Sequence, residues 1–334
     1  MASDELHYHD YLQLDKILNA QEPEAAKHSL SAHDEMLFII THQTYELWFK
    51  ELHYEVDSIL EIMRQPTLND NSPLLQTVVH RLERMAVVLR VLIHQIDVLE
   101  TMTPMDFLDF RDQLRPASGF QSWQFKLLEA KLGLKFEQRY GQGYYTSQLR
   151  LEHIDLIKNA EGQQSLLQLV NSWLERAPIR EEAFWTHYKD LYAGSLAEAE
   201  KHNMAAFEEV FFEHRSGDYS LSPKACRAAL FVMLYRGYPL LQLPFQLLNN
   251  LLEIDEQLST WRHRHINMVR RMIGTRIGTG GSSGKDYLQG AADRHYIFKE
   301  IAQLTSFLIE RRRLPQLSKE LEQQLGFAGP GVTE

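Results

Sequence analysis

LFIITHQTYELWF, residues Leu37 to Phe49, places Phe38, His42, Tyr45 and Phe49 at i, i+4, i+7 and i+11. At 3.6 residues per turn these positions share one face, which predicts a helix carrying an aromatic stripe with one imidazole in it. Such a histidine is either a hydrogen-bonded core residue or a single polar group aimed into an aromatic pocket for a flat ligand. The choice depends on what the rest of the chain places nearby.

The helical period continues on both sides. Ser31 and Asp34 form a Ser-x-x-acid capping pattern, so the helix is expected to start there and run to about Met63. Before it, residues 1–30 form an N-terminal arm with a short amphipathic stretch through Leu18. After it, the tract 66–73 (PTLNDNSP) is a loop by composition. Val78, Leu82, Met85, Leu89 and Leu92 predict a second helix within Leu74–Leu99. Thr103 and Pro104 read as N-cap and first helical position of a short helix that Pro116 and Gly119 close.

Farther on, 138–145 is a Gly- and Tyr-rich loop, followed by helical patterns at 147–158 and 163–175. Residues 180–215 are polar and charge-rich, and they predict a possible small helical subdomain. Leu221–Tyr235 is an apolar helix, Gln242–Ile273 a long amphipathic one, Gly274–Gly284 a glycine-rich loop, and 286–326 helical again. The fold class is therefore all-α, a multi-helix bundle with its main domain over 31–326.

Composition narrows the functional classes. A chain of 334 residues can bury a full core, and a net charge of −10 argues against a nucleic-acid partner. A single cysteine, Cys226, forms no intramolecular disulfide and suits a reducing cytoplasm. The opening MASDELHYHDY has neither the basic nor the apolar region of a secretory signal. The uncharged run Gly237–Leu252 is too short for a bilayer and contains Pro239 and Pro244, so no membrane partner is expected.

Several patterns could carry chemistry. None of the 15 histidines follows a glutamate at i−3, and HExxH is absent, which argues against di-iron and zinc sites. His263 and His265 are two apart and point to nearly opposite sides of a helix. His265 shares an apolar stripe with Trp261, Met268, Val269 and Met272, whereas His263 falls with Asn267 and Arg270. That places His265 either as a hydrogen-bonded core histidine or as the axial ligand of a haem iron. The loop 278–285 (GTGGSSGK) misses the Walker A register, with Thr279 where Gly is needed and Asp286 where Ser or Thr is. It is either a plain connector or a loop closing over a charged ligand. In DFLDFRDQL, Phe107 and Arg111 share a face, so the guanidinium either grips a ligand carboxylate or pairs with Asp106, Asp109 or Asp112.

Together these stretches resemble the tryptophan 2,3-dioxygenase family. The resemblance rests on FIITHQTYELWFKEL (Phe38–Leu52), LETMTPMDFLDFR (Leu99–Arg111), PASGFQS (Pro116–Ser122), LPFQLL (Leu243–Leu248) and WRHRHINMVRRMIGTRIGTGGSSG (Trp261–Gly284). It implies haem b, ferrous when active, held in the bundle by His265 as axial ligand, with Trp261 and Ser118 near the haem. It implies L-tryptophan and dioxygen as substrates and N-formyl-L-kynurenine as product, the first step of the kynurenine pathway. His42 would meet the indole N–H, Phe38 and Phe107 would flank the ring, Arg111 would pair with the carboxylate, and Thr279 would hold the ammonium. Tyr8 and Tyr11 would reach a neighbouring subunit's site in a homotetramer, a dimer of dimers. Phe107 stands where some members carry Tyr, and Lys126 where the pattern implies Arg. A haem-binding sensor without turnover is the alternative from another class, and a haem-free helical scaffold is a third.

Overall fold

The computed structural model describes residues 5–140, 145–176, 182–213, 219–276, 278 and 284–326. Among them there are helices and turns and no strand. The α-helices are α1 (Tyr8–Leu12), α2 (Leu14–Leu18), α3 (Glu24–Lys27), α4 (Glu35–Met63), α5 (Pro73–Leu99), α6 (Pro104–Leu108), α7 (Trp123–Leu132), α8 (Leu151–Glu161) and α9 (Leu166–Leu174). They continue with α10 (Glu182–Ala193), α11 (Asn203–Phe211), α12 (Pro223–Leu234), α13 (Gln242–Ile273), α14 (Gly284–Arg294), α15 (Lys299–Gln303) and α16 (Lys319–Gln324).

Three long helices make the frame. α5 packs against both α4 and α13, and α7 lies against α4 and α8. The expected stripe Val78, Leu82, Met85, Leu89 and Leu92 is the buried face of α5. That helix starts as its sequence directs, with Ser72 Oγ accepting the Leu75 N–H at 3.1 Å and Pro73 in the first turn. α13 spans the predicted residues and buries Leu247, Leu248, Leu251, Ile254 and Leu258. Each such leucine contributes about 1.5–3 kcal/mol by leaving water. α13 stops at Gly274, whose φ of 58° favours glycine.

The start of α4 departs from expectation. Asp34 is the N-cap with no side-chain cap bond, so the Ser31–Asp34 box does not form. Glu35 instead is fully buried, and its two oxygens accept the backbone N–H groups of Glu24 at 2.8 Å and Ala25 at 3.0 Å. A buried carboxylate must find donors, and the first turn of α3 supplies two. The same device recurs twice. Asp255 on α13 accepts the Ile297 and Phe298 amides, each at 3.0 Å, and Glu300 accepts those of Ser220 at 2.7 Å and Leu221 at 3.0 Å.

Two further segments depart from expectation. The segment 286–326 is not one helix, because α14 ends at Arg294 and Asp255 draws the following amides to α13. The segment after Thr103 is also broken, into α6 and 3-10 turns at Arg111–Leu114 and Gly119–Gln121. α6 does carry its predicted cap, with Thr103 and Asp106 in a reciprocal box. In the charge-rich region, Trp185, Tyr188, Tyr192, Phe207 and Phe211 of α10 and α11 join the same apolar core as the frame. No described helix is long and apolar enough to cross a membrane.

Candidate active site

A cavity of about 580 Å³ opens between α4, the 107–122 segment, α7, α13 and the later part of α14. That is the size of a cofactor or ligand pocket. Phe38, His42, Phe107, Arg111, Ser118, Trp261 and His265 all line it, so residues more than 200 positions apart in sequence meet at one place.

On the α4 side, His42 stacks near Phe38 with ring centroids 4.1 Å apart, and Phe38 lies 5.8 Å from Phe107 at 29°. His42 Nδ1 is 2.7 Å from the Phe38 carbonyl oxygen. A carbonyl only accepts, so Nδ1 carries the proton and Nε2 keeps its lone pair. Burial lowers the His42 pKa, against smaller opposing effects of the Phe38 carbonyl and Glu46. The imidazole is therefore neutral at pH 7 and presents an acceptor.

On the α13 side, the rings of Trp261 and His265 stack 5.2 Å apart at 4°. Trp261 also packs 4.9 Å from Phe125 and 6.2 Å from Tyr45. Burial, with a smaller push from His42, lowers the His265 pKa to about 4. Among the described residues no hydrogen bond engages either of its ring nitrogens. His263, as expected, is on the exposed side, with Nδ1 2.9 Å from the Ser259 carbonyl oxygen.

Arg111 is 4% exposed and opens the 3-10 turn directly after buried Phe110. Asp106 caps α6 through Thr103, and Asp112 lies 3.6 Å from Arg115. Ser118 caps the next turn, its Oγ accepting the Phe120 N–H at 3.2 Å. The nearby Ser122 Oγ is buried at the cavity wall and has no hydrogen-bond partner among the described residues.

The cavity also holds buried charges, of which sequence reading singled out Lys126 alone. Lys126 donates to the Phe120 carbonyl and sits 4.2 Å over the Phe120 ring. No carboxylate lies within ion-pair distance of it among the described residues, and burial lowers its pKa to about 8. Glu129, Arg262 and His295 form a buried network, with Arg262 donating to Glu129 at 2.7 Å and to the His295 carbonyl at 2.9 Å. Arg139 donates to Glu129 at 2.8 Å. Burial alone would raise the Glu129 pKa, but His295, Arg139 and Arg262 outweigh it and hold the carboxyl well below its usual range.

Two predicted site residues lie away from this cavity, and a third falls outside the described residues. Tyr8 and Tyr11 are 70% and 68% exposed on α1 and are not among its lining residues. Thr279 lies outside the described residues. The donor set does fit a haem. One imidazole without a hydrogen bond faces an aromatic, largely apolar chamber, and a buried lysine lacking a carboxylate partner stands at its wall, suited to an anionic arm.

Comparison with known proteins agrees with this geometry. The family profile described as tryptophan 2,3-dioxygenase matches residues 1–216 and 196–308. A tryptophan 2,3-dioxygenase of Bdellovibrio bacteriovorus is 42% identical over 354 aligned positions, covering 96% of this chain and 98% of its own. That of Dictyostelium discoideum is 43% identical, covering 97% of this chain and 88% of its own. That of Xenopus laevis is 42% identical, over 96% and 86% respectively. With a family profile matched over most of its residues and likeness along nearly its whole length, this chain belongs to the tryptophan 2,3-dioxygenase family.

Proposed function

We propose that the chain is a haem-dependent dioxygenase that adds both atoms of dioxygen across the indole C2–C3 bond of L-tryptophan. The carbon–carbon bond breaks, each carbon receives one oxygen, and N-formyl-L-kynurenine results with no outside reductant. The observation that carries this reading is the joint lining of one cavity by His42, Arg111 and His265.

His265 would ligate the iron of haem b, with Trp261, Ser118 and Lys126 as further contacts. Bound haem supplies ferrous iron, at which dioxygen is activated. The chain's own groups bind and orient the amino acid. Arg111 takes the carboxylate in a charge-assisted grip. Phe38 and Phe107 wall the indole, and Thr279 holds the ammonium. His42 accepts the indole N–H at Nε2, a role for which its tautomer is already set by Phe38. A buried acceptor matched to one donor also rejects ring analogues that lack it.

The same reading divides the chain into an arm, 1–30, and a haem domain, 31–326, and places it in the cytoplasm. Tyr8 and Tyr11 serve a neighbouring subunit's cavity in a homotetramer. Exposed Ile40, Leu47 and Tyr54 recur every seventh residue along α4 and give such an assembly an apolar stripe to bury. Light scattering of the purified protein tests the tetramer. The activity is tested by adding L-tryptophan to the reduced, haem-loaded protein in air. N-formylkynurenine absorbance is expected, and haem-replete protein that forms none would be a sensor instead.

A further inference from the structure

The Arg111 turn does not stand alone. It begins a 3-10 turn, Arg111–Leu114, that packs against the short helix α3. α3 has one turn and cannot hold itself in place. Its first two amides, those of Glu24 and Ala25, are bound by the two oxygens of Glu35, at 2.8 Å and 3.0 Å. Glu35 is 0% exposed and Ala25 1%, so the carboxylate side of the junction is shielded from water. Glu35 is also the first residue of α4, on the helix that carries Phe38 and His42 into the cavity. The chain just before α3 is fixed to α4 as well, with Gln43 donating to the Ala20 carbonyl at 2.9 Å and Gln21 donating to Gln43 at 2.7 Å.

We propose that Glu35 is a positioning residue for substrate recognition: its carboxylate locks α3 as a wedge between the start of α4 and the Arg111 turn, and so sets the guanidinium that grips the substrate carboxylate. The proposal rests on the assignment of Arg111 to that carboxylate. Physically, the wedge fixes the distance between the carboxylate grip on one segment and the ring-binding residues on α4. Two charge-assisted bonds, one buried and one part-buried, make it stiff. Replacing one oxygen by an amide NH2 sets a donor against a donor and releases one end of α3.

The test compares L-tryptophan with L-tryptophanamide, which has the ring and ammonium but no carboxylate, on the haem-loaded protein. In Glu35→Gln the affinity for L-tryptophan, read from perturbation of the haem spectrum, should fall roughly tenfold, or about 1.4 kcal/mol. The KM should rise in step while kcat holds, and the affinity for the amide should not change. Glu24→Pro removes one of the two amides at a first-turn position where proline is tolerated, and it should show a smaller loss of the same kind. It also serves if Glu35→Gln yields too little folded protein.

Equal losses for both ligands, or a lowered melting temperature with L-tryptophan affinity intact, would overturn the proposal. Arg111→Ala separates the two levels of the argument. If it too leaves L-tryptophan affinity intact, the carboxylate assignment itself has failed. If it weakens L-tryptophan while Glu35→Gln does not, only the wedge has.

Discussion

His42 and His265, which face each other across the cavity lining, are alike in chemistry and opposite in commitment. His42 on α4 has spent one nitrogen on the Phe38 carbonyl, 2.7 Å away in its own helix, so its tautomer is fixed and one lone pair is offered. His265 on α13 stacks flat against Trp261 and makes no hydrogen bond through either nitrogen among the described residues. Burial lowers the pKa of both, so both are neutral at pH 7. A neutral imidazole with a preset acceptor suits a hydrogen bond from a substrate, and one with an uncommitted nitrogen suits a metal. The difference in local bonding, more than the residue type, assigns the roles.

The sharpest break of that contrast comes from His265→Gly. It should abolish stable haem binding and with it all turnover, and imidazole added to the medium should restore part of the Soret band. A variant that keeps full haem without imidazole would mean the ligand lies elsewhere. Arg111→Ala comes next, with KM for L-tryptophan raised about tenfold to a hundredfold, the loss of a charge-assisted buried bond worth about 1.5–3 kcal/mol. Steady-state kinetics on haem-replete protein would check it.

For His42→Ala the Soret band should persist. The variant should lose most of the preference for L-tryptophan over 1-methyl-tryptophan, which has no indole N–H, as competition kinetics would read. Unchanged discrimination would remove His42 from the substrate.

The smallest effect concerns pH. His42 has a pKa below 6.5, so KM should stay flat above that pH and rise only as acid protonates Nε2 and turns the acceptor into a donor. A second buried imidazole, His53, acts on stability instead. Burial, with Lys131 adding to it, brings its pKa down to about 4 from 6.5. Between those values the unfolded chain binds the proton and the folded chain does not, so stability should fall as pH drops from 6.5 towards 4. In His53→Leu that slope in melting temperature should flatten.

Much of the molecule was legible in the residues, and the losses have physical causes. α4, α5 and α13 bury uninterrupted apolar stripes, which is what periodicity detects. α7 is harder to read because the apolar residues Leu127, Leu128, Ala130 and Leu132 on its buried face are interrupted by Lys126 and Glu129. Their partners come from far along the chain, as with Arg262, 133 positions from Glu129, and no local spacing encodes such a pair. The Ser31–Asp34 pattern misled for a related reason, since the start of α4 is tied instead by the Glu35 carboxylate to a helix that precedes it. The cavity residues were found because each sits in a compact stretch, whereas the charges that support them become visible only once the helices are packed.

The most direct measurement is a crystal structure of the haem-loaded protein with L-tryptophan bound. It should show His265 bonded to iron on one face of the porphyrin. On the other face, His42 Nε2 should lie about 2.7–3.2 Å from the indole nitrogen, within hydrogen-bond reach. Iron bound through His42, or an indole nitrogen turned away from it, would contradict the account.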